Sequence, residues 1–218
     1  MVRNGYFKTL LSSLFILFFG AVISSSQEQG SFIQAAYDAI QRGNYQTAIE
    51  NYTKAIEKQP GFSPAYYGRG LAFAYLKKYE ESISDFSKAT ELDPKYHQSF
   101  YAQGLSYTKL GKNQSAVDEF SKALAIDPKN SIYFYARGNA YSFLGNNENA
   151  LNDYTKAIEF DPQNGFAYYG RGVVNKAEKR GDAAIKDFEK YLELNSNKDG
   201  LAKEVQRLIN EIQQEGKD

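Results

Sequence analysis

Arginine recurs at Arg69, Arg137 and Arg171, and aspartate follows each of them at the same offset, at Asp85, Asp153 and Asp187. A guanidinium and a carboxylate at constant separation either pair with each other or leave a row of cations for an anionic ligand. The exceptions favour pairing. Where the arginine gives way to Gln103 the aspartate becomes Glu119, and where it gives way to Ala35 the aspartate becomes Asn51. A second row runs at the same period, Tyr67, Tyr101, Tyr135 and Tyr169. Tyrosine offers a large contact area at low entropic cost together with a polar tip, which suits binding as well as packing.

Other chemistry is thin. The chain has no cysteine and one histidine, His97. Thiol nucleophiles, disulfides and cysteine metal clusters are thereby excluded, and the lone histidine argues against a histidine metal site or a triad. Gly68-Arg69-Gly70 and Gly170-Arg171-Gly172 look like the start of a phosphate loop, but each lacks the third glycine and follows no strand. Lysine plus arginine and aspartate plus glutamate number 26 each, with no basic run to hold phosphates. No enzyme, metal, cofactor or nucleic-acid partner is expected.

The elements that carry these rows announce themselves through proline. Pro60, Pro94, Pro128 and Pro162 lie 34 residues apart. A small–aromatic–small ladder precedes each: Ala48, Tyr52, Ala55; Ser82, Phe86, Ala89; Ala116, Phe120, Ala123; Ala150, Tyr154, Ala157. A fixed period of this length marks a solenoid in which each unit stacks on its neighbours. With Ser63 as position 1, the units are 29–62, 63–96, 97–130, 131–164 and 165–196. Each holds two amphipathic patterns, A and B, separated by a turn such as Leu110-Gly111-Lys112-Asn113. Position 8 is glycine in four units, Gly70, Gly104, Gly138 and Gly172, at about 1 kcal/mol of helix propensity each. Together with the small residues at position 20, these predict close approach of the A and B backbones. Beyond residue 196, Leu201, Val205, Leu208, Ile209 and Ile212 form one apolar stripe, a capping helix within 197–218.

The pattern Tyr66-x-x-x-Gly70-x-x-Phe73, followed by Ser82-x-x-x-Phe86-x-x-Ala89-x-x-x-x-Pro94, resembles the tetratricopeptide repeat. The resemblance covers about residues 29 to 196. It implies an all-α, right-handed solenoid of about five helix-turn-helix units plus the cap, acting as a scaffold that binds protein or peptide segments. It further implies that helix A lines a concave groove through positions 2, 5, 9, 12 and 13. The expected ligand groove then contains Tyr67, Tyr101, Tyr135 and Tyr169 with Leu105, Lys109, Asn139, Ser142 and Phe143. Position 7 stands about 200° around the helix from position 5, so the arginines lie off that face and serve as structural pairs. As exposed pairs they would contribute only about 0–1 kcal/mol each. The tyrosines either meet a ligand or pack between neighbouring A helices. The lysine and asparagine set by which relatives clamp a peptide's terminal carboxylate has no counterpart at Ile33, Tyr37, Gly68, Gln98 and Ala102. His97 is expected to be exposed in a connecting turn.

The first 26 residues differ from the rest. Arg3 and Lys8 precede an apolar stretch from Leu10 to Ile23, then Ser24, Ser25 and Ser26. This order predicts a signal peptide cleaved near Gln27, with an uncleaved anchor over residues 9–26 as the alternative. The expected product is an exported adaptor, periplasmic or secreted, touching a membrane only if the leader stays. A glycan or cell-wall binding module and a self-assembling structural protein are the rival readings.

Overall fold

A computed structural model describes residues 28–195 and 200–215. The expected leader or anchor lies outside the described residues. Within them the chain is helical throughout, with no strand. The first helix, α1, is described over 28–41. It is followed by α2 (Tyr45–Lys58), α3 (Ser63–Tyr75), α4 (Tyr79–Leu92), α5 (His97–Lys109) and α6 (Asn113–Ile126). Then come α7 (Ser131–Phe143), α8 (Asn147–Phe160), α9 (Gly165–Ala177), α10 (Gly181–Asn195) and α11 (Ala202–Glu215). From α3 on, every A helix begins at position 1 of its unit. No described helix is long and apolar enough to cross a membrane.

Local chemistry sets these boundaries. Asn130 caps α7 by accepting from the amides of Ile132 and Tyr133, and Asn164 caps α9 by accepting from Ala167. Such caps are worth about 1 kcal/mol each. The A–B turns need a left-handed residue, supplied by Gly43, Gly111 and Gly145 but by Lys77 and Lys179 in the other two units. Helices α4, α6 and α8 each end just before the repeating proline, which cannot continue them.

The described residues form two compact units, one ending at Pro94 and one beginning at Lys95. In the first, α2 packs on α3 and α3 on α4. Its core is Ala36, Ala39, Ala48, Ile49, Tyr52, Ala55, Ala65 and Ala72. In the second, each helix from α5 to α11 packs on the next. The position-24 rings Phe120, Tyr154 and Phe188 are buried there, with buried small residues at position 20 beside them. The stripe of α11 closes this unit: Val205, Ile209 and Ile212 are buried against Ala184, Phe188 and Tyr191.

The position-8 glycines have a different reason from the one expected. A Cβ on Gly70 would stand 2.7 Å from the ring of Phe86, on Gly104 2.5 Å from Phe120, on Gly138 3.0 Å from Tyr154 and on Gly172 2.8 Å from Phe188. The glycine makes room for an aromatic ring from helix B, not for its backbone. Burial of each ring, about 1.5–3 kcal/mol, offsets the lost helix propensity.

A further dependence joins consecutive units. Position 24 is tyrosine at Tyr52 and Tyr154, and position 6 of the following A helix is then glycine, Gly68 and Gly170. A Cβ on Gly68 would run into the ring of Tyr52, and one on Gly170 would meet Tyr154 Cζ at 2.8 Å. Where position 24 is Phe120 the following residue is Ala136, in the same apolar cluster.

Candidate functional site

The paired residues come first, because they fix the A helices. Arg69 donates from Nε and NH2 to both oxygens of Asp85, at 2.7 and 2.8 Å, and from NH1 to Thr53 Oγ1 at 3.1 Å. Arg137 does the same to Asp153, at 2.7 and 2.8 Å, and to Ser121 Oγ at 3.0 Å. Arg171 reaches Asp187 at 2.7 and 3.0 Å and Thr155 at 3.2 Å. Each arginine thus ties its A helix to its own B helix and to the B helix before it. These pairs are not exposed. The side chains of Arg137 and Asp153 keep only 20% and 3% of their accessibility. Position-4 rings lie beneath the guanidinium groups, Tyr66 at 5.7 Å, Phe134 at 5.6 Å and Tyr168 at 5.6 Å. In the unit without an arginine, Lys122 bonds Glu119 at 2.7 Å and lies over Phe100.

Such bracing leaves the opposite face of each A helix available. In the second unit α5 touches α7 and α7 touches α9, which the B helices do not do to a comparable extent. The A helices therefore form the closer-packed layer, and positions 2, 5, 9, 12 and 13 fall on one stripe of each A helix. The position-5 tyrosines are half-buried there. Tyr101 leans on Phe120 and Tyr133, with ring centroids 5.8 and 4.8 Å away. Tyr135 leans on Tyr154 and Phe166, and Tyr169 on Phe188 and Tyr191. In the first unit, Tyr67 leans on Phe86. Burial raises the phenol pKa of Tyr67 and of Tyr169, with Tyr75 and Glu204 respectively adding to it. These rings spend much of their surface on packing.

The side chains that stay open are others. Phe143 is 70% exposed, Ile132 54%, Phe166 43%, Leu105 40% and Val173 39%. All five belong to A helices of the second unit, at positions 2, 9 and 13. In the first unit, Tyr37 and Tyr75 are exposed at positions 9 and 13. Of the residues expected in the groove, Leu105, Lys109 and Phe143 are exposed, and Asn139 and Ser142 are half-buried. Asn139 accepts a hydrogen bond from the Tyr154 hydroxyl at 2.8 Å. Burial first, then neighbouring Tyr135, drives the Tyr154 phenol far above the usual range. Ile132 and Phe166 join the site through exposure alone. Their column, Pro64, Gln98, Ile132 and Phe166, has no common chemistry to mark it.

His97 is not an exposed turn residue. It opens α5 half-buried, and its Nδ1 lies 2.8 Å from the Tyr133 hydroxyl. Tyr133 fills a column that is otherwise Ala65, Ser99 and Ala167, so its bulk covers the histidine.

Family comparison settles the class. The tetratricopeptide repeat family matches residues 63–96, 131–164 and 167–198, and a TPR repeat family matches 104–142, more than half of the chain between them. The chain is a tetratricopeptide repeat protein. Tetratricopeptide repeats of this kind serve as protein-interaction scaffolds. No curated protein matches this one in sequence. Among solved structures, MamA from Desulfovibrio magneticus RS-1 (residue 41 to the end) is 21% identical over 79% of this chain and 98% of its own, with a TM-score of 0.73. YrrB, described as a TPR protein with an unusual peptide-binding site, is 22% identical over 87% and 97%, with a TM-score of 0.70. PilF of Pseudomonas aeruginosa is 14% identical over 87% and 90%, with a TM-score of 0.72. At these identities the likeness is one of fold.

Proposed function

We propose that this protein is an exported adaptor that holds a segment of a partner protein against the exposed face of its A helices. One observation carries this reading. Among the described residues, seven of the ten large apolar side chains that stay open to water lie on that face, at positions 2, 9 and 13. The other three are Leu76 and Leu144 in the A–B turns and Ile126 at the end of α6, and the position-24 rings of the B helices are buried. Exposed apolar surface concentrated on one face marks an interaction site. The peptide-binding site described for YrrB supports the same class of partner.

A sugar-stacking platform is less well supported, because the position-5 rings lie against other rings on the protein side. For the same reason the test avoids those tyrosines. Leu105→Ser with Phe143→Ser alters two open side chains and should leave the helix content intact. Affinity capture from the native host, followed by mass spectrometry, should yield a partner that the double variant holds about tenfold more weakly, roughly 1.4 kcal/mol. Equal retention by a folded variant would move the binding surface elsewhere.

A further inference from the structure

From α3 to α10 the A and B helices differ sharply in charge, although α1 carries Glu28 and Asp38. Helices α5, α7 and α9 contain no aspartate or glutamate at all, and neither does α3. By contrast α6, α8 and α10 carry Asp118 and Glu119, then Glu148, Asp153 and Glu159, then Asp182, Asp187, Glu189 and Glu193. The basic residues of the three A helices in the second unit are Lys109, Arg137, Arg171 and Lys176. Three are occupied: the arginines by their aspartates, and Lys176 by Glu211 of α11 at 2.6 Å. Among the described residues Lys109 is exposed and enters no ion pair. It stands at position 13 of α5, and Phe143 holds the same position on the adjoining α7. Glu178, in the turn after α9, accepts from Asn147 Nδ2.

Resting on the reading above, we infer that the segment held on α5, α7 and α9 is extended, apolar and acidic, with a carboxylate side chain set against Lys109 beside Phe143. Glu204 and Glu211 of α11 stand at the far end of the face, beside Tyr169 and Lys176, whereas α5 and α7 supply no carboxylate, so a lysine or arginine of the ligand has nothing on these two helices to pair with. They give an aspartate or glutamate one unpaired ammonium at the rim of an apolar patch. Charge at such a rim selects the partner more than it adds affinity. Neighbouring helices pack at about 10 Å. A strand of about six residues, at ~3.3 Å each, therefore crosses from α5 to α9.

A display library of random peptides about twice that length can be selected on the full chain and, in parallel, on Phe143→Ser and Lys109→Glu chains whose helix content is verified. Peptides held by the native chain and lost by Phe143→Ser should be rich in apolar residues, with aspartate and glutamate enriched over lysine and arginine. Changing the acid of a synthetic winner to lysine should weaken it about tenfold. The Lys109→Glu chain should reverse the charge preference. If winners depend on Phe143 but show no acidic bias, or keep it on Lys109→Glu, the face binds peptides and the charge inference falls. If no peptide depends on Phe143, both the inference and the binding face fall. Self-association that Phe143→Ser abolishes would give the face to a second copy and overturn the inference.

Discussion

The phenol end of Tyr154 occupies the space that a Cβ on Gly170 would need, with Cζ at 2.8 Å and the hydroxyl at 3.1 Å. Its hydrogen bond to Asn139 pins the ring there. Gly170→Ala should therefore cost more in a chain with Tyr154 than in one with Tyr154→Phe, whose ring is free to slide. A double-mutant cycle of denaturant unfolding should give a coupling energy of about 1 kcal/mol. Additive costs would mean that the two residues do not compete for space.

Arg137 and Asp153 form a bidentate pair that is largely withdrawn from water. Removing one partner leaves a buried charge, which is costlier than removing both. Arg137→Met alone should destabilise the fold by more than Arg137→Met with Asp153→Leu, with a coupling of about 1–3 kcal/mol in the cycle. A single variant no worse than the double would mean that water already compensates the carboxylate.

Lys179 adopts φ of 57° at a turn position that is glycine at Gly145, φ 72°. A Cβ is disfavoured in this region by about 1–2 kcal/mol. Lys179→Gly should accordingly stabilise the fold by about 0.5–1 kcal/mol after the added freedom of the unfolded chain. Gly145→Ala should destabilise it. Thermal melts of the two variants moving in the same direction would contradict this account.

The export proposed above calls for a mature chain that starts near Gln27. N-terminal sequencing of protein from its native host should read from there. An intact Met1 in a soluble cytoplasmic fraction would overturn export.

Much of this fold is legible because the chain compares itself with itself. The offset from Arg69 to Asp85 recurs within a unit, so the pair can be read by aligning units. The dependence of Gly68 on Tyr52 crosses from one unit to the next. It becomes visible only when position 24 is set against position 6 of the following repeat. Position 8 shows the limit of periodicity. Spacing identifies the face that Gly138 lies on, but not whether a backbone or the ring of Tyr154 stands opposite. The site is harder still. Ile132 and Phe166 belong to it because nothing covers them, and exposure is a property of packed neighbours rather than of one helix's pattern. His97 is misplaced from sequence alone because its cover, Tyr133, is supplied from 36 residues away.

The dependence of Gly170 on Tyr154 also bears on how such arrays are rebuilt. A unit carrying a tyrosine at position 24 must be followed by one with glycine at position 6, whereas Phe120 precedes Ala136. Shuffling whole 34-residue modules would therefore join mismatched edges: unit 131–164 placed before a second copy of itself would set Tyr154 against Ala136. The natural cutting point for exchange lies inside a unit, between helix A and helix B, so that a B helix travels with the A helix that follows it. A chimera cut in the A–B turn should tolerate reordering that the same exchange, cut at the proline, does not.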